Sequence, residues 1–234
     1  PQTAEKNVTR RAAELCGSAL THLKSTKRRD HHMRLGISSY CLDREIENGI
    51  LTLDEAIDWA AKYGAECMEL VPFAFRFDDE VTGKIDLAKI AAVKKRAKDA
   101  GLALVNYSVL ADFCKEGEDL EKEIARVCHH VDIAAELGVP RMRHDVTAFR
   151  RPLNQNTLKD FDRWLPVLAE SAKRVTEHAK KLGVMTLIEN HGFFANGCDR
   201  VERILNAVND DNYGLLLDTG NICLLYTSPS PRDA

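Results

Sequence analysis

Twice in this chain an apolar run of strand length stops abruptly at a carboxylate and a glycine. The first is Gly183-Val184-Met185-Thr186-Leu187-Ile188-Glu189-Asn190-His191-Gly192, and the second is Tyr213-Gly214-Leu215-Leu216-Leu217-Asp218-Thr219-Gly220-Asn221. Short apolar runs of this kind read as strands buried on both faces, which belong in parallel sheets covered by helices. Parallel neighbours need a crossover helix between them, so two such strands in succession commit the chain to an α/β plan. Both carboxylates then fall at the same end of the sheet.

The rest of the sequence from Met33 repeats the plan. Strands are expected at Arg34–Cys41, Ala65–Val71, Leu102–Leu110 and Val139–Val146, ahead of the two opening runs. Thr52 and Glu55 form a capping box that starts the first helix, which Gly64 closes. Asp86 caps the second, whose Leu87, Ile90, Val93 and Ala97 share a face. A third carries Leu120, Ile124, Val127, Val131 and Ala135 at helical spacing, and a fourth runs from Trp164 to Leu182 with Pro166 expected to kink or restart it. Asp199 and Glu202 read as a second capping box for the fifth helix. Six strands alternating with five helices fit either an open doubly wound sheet or a closed barrel. No Gly-x-Gly-x-x-Gly or Walker-type loop follows the first strand to favour the open form.

With 234 residues and a formal net charge of −3, one domain with a sizeable core is expected and no strong polyelectrolyte partner is implied. Seven scattered cysteines show no C-x-x-C pair, so they read as reduced and mostly buried thiols of a cytoplasmic protein. No apolar run nears the length of a membrane span. Residues 1–32 are polar, carry the basic cluster Lys24, Lys27, Arg28 and Arg29, and read as a disordered or non-native leader. Residues 33–223 form the domain, and the Pro/Ser-rich segment 224–234 reads as an unstructured tail resembling read-through sequence.

Alternation along a strand puts Leu187, Glu189 and His191 on one side, and Leu216 with Asp218 likewise. Two hard oxygen ligands on neighbouring strands suit Mg²⁺ or Mn²⁺, and an added imidazole admits Co²⁺ or Zn²⁺. The plainer alternative is that Glu189 and Asp218 cap loops or pair with a nearby Lys or Arg.

The path from Leu35-Gly36-Ile37-Ser38-Ser39-Tyr40 through Glu189-Asn190-His191-Gly192 to Asp218-Thr219-Gly220-Asn221 resembles the sugar phosphate isomerase/epimerase superfamily, the xylose isomerase-like TIM barrels. The resemblance covers nearly all of residues 33–223 and implies a TIM (β/α)8-type barrel of which about six βα units are present. It implies Glu189 and Asp218 as metal ligands, with Glu189 also the catalytic general base of proton transfer through an enediolate. The family's two further ligands, a histidine and a glutamate on the seventh and eighth strands, have no counterpart before the sequence stops. The expectation is therefore a C-terminally truncated and inactive chain, with open strand edges that favour aggregation.

The substrate is expected to be a small sugar or sugar phosphate, with neither nucleic acid nor membrane as partner and room for a homo-oligomer. Around it, His191 and Asn221 are candidate contacts, His191 being equally readable as a structural histidine. Glu69 at the end of the second strand and Tyr40 at the end of the first are others. In Arg141-Met142-Arg143-His144-Asp145, His144 lies on the opposite side from Arg143 and Asp145, so only one set faces the site. Arg143 suits a substrate phosphate or carboxylate, or a structural ion pair with Asp145 or another acid.

Three alternatives share the plan. One is a metal-dependent dehydratase of keto-inositol type. A second is an endonuclease IV-like repair enzyme, which that resemblance would give three zinc ions and a histidine where Asn221 stands. The last is a barrel fragment without catalysis.

Overall fold

The computed structural model of the chain describes residues 33–222. The leader read at 1–32, Cys223 and the tail read at 224–234 lie outside the described residues. The chain divides into two units, Pro1–Val105 and Asn106–Ala234, the boundary falling inside the third strand.

In the first unit, β1 is Gly36–Ser38, much shorter than the Arg34–Cys41 expected. Two serines end it. The Ser38 hydroxyl accepts the Tyr40 N–H at 3.4 Å and opens a 3-10 turn over Ser39–Leu42. The buried Ser39 hydroxyl accepts the Val71 N–H at 2.8 Å and donates to the Val71 carbonyl, tying the turn to the chain beyond β2, Cys67–Leu70. A short helix that the sequence did not announce, α1 (Asp43–Glu47), follows.

Helix α2, Leu53–Lys62, starts at the expected capping box: the Thr52 hydroxyl accepts the Glu55 N–H while the Glu55 carboxylate accepts the Thr52 N–H. Asp86 caps α3, Leu87–Asp99, by accepting the Lys89 N–H at 2.9 Å. Ile90, Val93 and Ala97 are buried on its inner face, but Leu87 in the first turn is exposed.

The second unit takes over within β3, Ala103–Val109. It continues with α4 (Gly117–Leu137), β4 (Arg141–His144), α5 (Leu158–Lys181), β5 (Met185–Glu189), α6 (Cys198–Val208) and β6 (Tyr213–Leu216). The strands pair in parallel, β1 with β2, β3 with β4, β4 with β5 and β5 with β6, and stand in sheet order β1 to β6. An open doubly wound sheet reverses its strand order at a switch point. This one does not, which is the singly wound order of a TIM (β/α)8-type α/β fold, with six strands described.

Two expectations about helix starts are corrected. Helix α5 runs unbroken through Pro166, because its apolar face of Phe161, Leu168, Ala172, Val175 and Ala179 stays buried on both sides of the proline. Its start is fixed by a capping box the sequence reading missed, Thr157 with Asp160. Asp199 and Glu202 form no capping box, since α6 begins two residues too early for it, at Cys198, with Gly197 in the capping position. The cysteines are less buried than expected. Of the five that can be described, only Cys67 is buried, while Cys41 and Cys198 are exposed.

The helix-facing side of β5 is identified by a buried pair of hydroxyls, Thr176 of α5 and Thr186 of β5, 2.8 Å apart. Thr186 and Ile188 therefore face the helices, and Leu187 with Glu189 face the other way. No helix among the described residues is long and apolar enough to cross a membrane.

Glu123 of α4 anchors the loop that leads out of β3. Its carboxylate accepts the Asp112 N–H at 2.9 Å and two bonds from Arg126, and Lys115 lies 3.4 Å away. Burial alone pushes this carboxyl up, but the Arg126 and Asp112 hydrogen bonds and the two cations outweigh it and bring the pKa down from 4.5 to about 2. A lowered carboxylate pKa contributes stability that is present above about pH 4.5 and lost as pH falls through about 2. Glu123→Gln is expected to cost about 2 kcal/mol at pH 7. In urea melts, the gap from the native chain should close below pH 4.5 and vanish near 2; a gap that stays constant with pH contradicts the assignment.

Candidate metal and proton-transfer site

The register of the second unit sets the site. Arg143 of β4 pairs with Leu187 of β5, and Glu189 pairs with Leu216 of β6. Residues paired across a parallel ladder point to one face, so Arg143, Glu189 and the residues two places on, Asp145 and Asp218, all reach the face away from the helices. Four charged side chains thus arrive at the carboxyl ends of three adjacent strands.

Asp145, Glu189 and His191 each offer a ligand atom, and these atoms all lie within 4.8 Å of one another. Asp145 and Glu189 are buried, at 4% and 8% exposure. His191 Nδ1 lies 3.1 Å from Asp145 Oδ2, and its ring stacks at a tilt on Phe149 with centroids 4.6 Å apart. Gly192 makes that stacking possible. It has φ +69°, and a Cβ there would come within 2.8 Å of the Phe149 carbonyl oxygen.

Asp218 lies one step further round. Its carboxyl is close enough to that of Glu189 to favour the protonated form of Glu189. Burial pushes the Glu189 pKa up, Arg143 and His191 pull it down by their charge, and Asp218 pushes it up again; the net direction is upward.

Arg143 supplies the positive charge in the cluster. Its Nη2 contacts Glu189 Oε2, and its Nη1 lies 3.4 Å from Asp145 Oδ1 and donates to the Val109 carbonyl at 3.2 Å. Of the two roles open to Arg143 in the sequence, the ion pair is the one seen. Glu189 is likewise paired with an arginine, as its plainer reading held.

The side-chain amides complete the frame. Beyond the end of the β5–β6 ladder, the Asn190 amide takes the place of a strand: its Oδ1 accepts the Asp218 N–H and its Nδ2 donates to the Asp218 carbonyl, both at 2.8 Å. Asn196 donates to the Asn221 carbonyl at 2.8 Å, and Asn221 Nδ2 donates to Glu189 Oε1 at 3.2 Å. The sequence reading missed Asn190 and Asn196 as positioning residues and counted Asp145 only as an ion-pair partner. The signal for Asp145 was present, since β4, like β5, runs into a carboxylate.

Among the expected substrate contacts, His191, Asn221 and Arg143 join the cluster. His144 does not. It lies on the helix-facing side of β4, fully buried against Phe113 and Tyr213, with Nδ1 bonded to the Asp145 backbone oxygen. Burial pushes its pKa down to about 4, keeping the ring neutral, and it has no exposed surface for a substrate. Tyr40 and Glu69 belong to the first unit. There Tyr40 is exposed with its ring edge-on to Phe73, and Glu69 is a half-buried residue of β2 in register with Ser38.

A singly wound parallel sheet with acids and an imidazole at its carboxyl ends is the plan of a TIM-barrel-like α/β fold. The sequence model of the family described as "xylose isomerase-like TIM barrel" matches residues 57–231, and the chain belongs to that family. No curated protein sequence matches it. Among solved structures it is similar to a D-psicose 3-epimerase from Clostridium cellulolyticum H10 (17% identity, TM-score 0.63, 84% of this chain and 67% of that one). It is also similar to the probable 3-DHS dehydratase AsbF from Bacillus anthracis (14% identity, TM-score 0.61, 81% and 64%). A third is a fusion of a xylose isomerase-like TIM barrel with a 4-hydroxyphenylpyruvate dioxygenase (18% identity, TM-score 0.61), of which the chain spans 28% while 83% of this chain is covered. At these identities the likeness is one of fold.

Asn190→Ala removes both bonds to the Asp218 backbone and is expected to cost about 2 kcal/mol, roughly 1 for each bond lost. Urea unfolding measures this, and a loss below about 0.5 kcal/mol contradicts the bracing role of the amide.

Proposed function

We propose that the chain is the metal-site portion of a divalent-metal-dependent isomerase or epimerase of a sugar or sugar phosphate, with Glu189 as the base that moves a proton at the carbon beside the carbonyl. The observation that carries this is the convergence of Asp145, Glu189 and His191 within 4.8 Å at the end of adjacent strands. Family membership and the epimerase neighbour support it.

The donor set fits a hard or borderline divalent ion such as Mn²⁺, Mg²⁺, Co²⁺ or Zn²⁺, since it combines carboxylate oxygens with one imidazole nitrogen. Ligand atoms held at about 2.1 Å from one ion lie up to about 4.2 Å apart, so a cluster within 4.8 Å needs only small side-chain shifts. The expected pair Glu189 and Asp218 is thereby widened to include Asp145 and His191. When bound, such an ion supplies positive charge that polarises the substrate oxygens and stabilises the enediolate.

The chain's own residues do the rest. Glu189 takes the proton as carboxylate and returns it as acid, and its upward-shifted pKa makes it a stronger base than an exposed glutamate. Asn221 holds Oε1 and so leaves the carboxylate one fixed orientation. His191, half-buried, is oriented by its Nδ1 contact with Asp145 and offers a ring nitrogen to a substrate hydroxyl or the ion.

The dehydratase neighbour favours a second reading. The same proton abstraction by Glu189 ends in elimination when a hydroxyl leaves from the next carbon, and no residue described above separates the two outcomes.

Incubation of the full chain with MnCl2 and D-fructose, D-psicose or D-tagatose in D2O tests the proposal. The expected outcome is deuterium at the carbon beside the carbonyl, by proton NMR, with Glu189→Gln slower by about 10²- to 10⁴-fold. Exchange followed by loss of water selects the dehydratase. No exchange with any ketose, or exchange unchanged in Glu189→Gln, rejects Glu189 as the base.

A further inference from the structure

The guanidinium of Arg143 is spent entirely on the protein. Nη2 is on Glu189 Oε2, Nη1 is shared between Asp145 Oδ1 and the Val109 carbonyl, and Nε is buried without a hydrogen-bond partner. The side chain is only 12% exposed. It therefore has no fork to offer a substrate phosphate. Its charge sits instead against two of the groups able to hold a metal ion, Asp145 and Glu189.

Glu189 Oε1 already accepts from Asn221 and Oε2 from the guanidinium, so a divalent ion that reaches Glu189 meets oxygens already engaged. A guanidinium and a divalent ion on the same carboxylate compete for its lone pairs and repel each other in a site with little water to screen them. Removing Arg143 without a replacement leaves Asp145 and Glu189 facing each other with only the His191 ring beside them to offset their charge.

We propose that Arg143 is an internal counter-cation that competes with the divalent ion for Glu189 and Asp145, so that metal enters as the guanidinium moves off Glu189. The inference rests on the reading of this cluster as a metal site. Arg143 is a positioning residue in this account: it acts through the two carboxylates and sets how strongly they take up metal. A purely structural role, cross-linking β4 to β5, makes the opposite prediction, because loosening the carboxylates weakens metal binding.

Titration of the full chain with CoCl2, followed calorimetrically and by the visible absorption of bound Co²⁺, tests this on the native chain, Arg143→Gln and Arg143→Lys. Arg143→Gln should bind Co²⁺ about tenfold more tightly or better, by removal of a neighbouring unit charge. Arg143→Lys should fall between, since one ammonium cannot bridge two carboxylates as a fork does. Without metal, Arg143→Gln should melt lower than the native chain, and saturating CoCl2 should raise its Tm by the larger amount.

If Arg143→Gln does not fold, Arg143→Lys reads the same sign. Native chain that binds Co²⁺ while the folded variants bind it equally or more weakly overturns the counter-cation and leaves the metal site standing. Folded variants and native chain that all fail to bind Co²⁺ overturn both.

Discussion

Burying Glu189 at the end of β5 puts a carboxylate where water no longer solvates it, with Asp145 and Asp218 beside it. An isolated ionised group in such a place is expensive, and three acids together are worse. Each neighbouring contact answers that cost. Arg143 contributes a full positive charge to two of the acids, and Asn221 and Gly220 donate N–H groups to Glu189 and Asp218. The cluster holds together because charge and hydrogen bonds act at once.

That arrangement could not be assembled without the sheet. Parallel pairing brings the ends of β4, β5 and β6 level, and the two-residue alternation sends Arg143, Asp145, Glu189 and Asp218 to one face while Thr186 and Ile188 go to the helices. A slip of one residue in β5 would exchange Glu189 for Ile188 and bury a carboxylate under α5. The Thr176–Thr186 hydroxyl pair and the Asn190 amide hold that register from opposite ends of the strand.

What the sequence could and could not foretell follows from the range of each interaction. Capping at Thr52–Glu55 and Asp86 spans three residues and could be read directly, as could the two strands ending in Glu189 and Asp218. The capping box at Thr157–Asp160 was equally local and was overlooked, while Asp199–Glu202 had the letters of one without the backbone. Contacts across 25 to 46 residues were of another kind. That Arg143 would turn to Glu189, Asn196 to the Asn221 carbonyl and Asp145 to His191 depends on register and loop path, which no spacing rule supplies. The resemblance to a family supplied Glu189 and Asp218 because those two are carried by motif. It was silent on Asp145 and on the cation between them.

The two roles proposed for Glu189 make opposite demands on its charge. A base that removes a proton from carbon gains from burial, which raises its affinity for the proton, and a metal site gains from ionised carboxylates, which burial opposes. Under the proposal Glu189 is asked for both. An arginine that favours its ionised form against burial, and that yields its place to a divalent ion, would reconcile the two demands, since the carboxylate would never be left without a positive partner. A neutral residue at position 143 could not do this, and an acid there would deepen the repulsion. The placement of Arg143 two residues before Asp145, on the strand next to Glu189, is therefore what lets the proposal give one glutamate both roles.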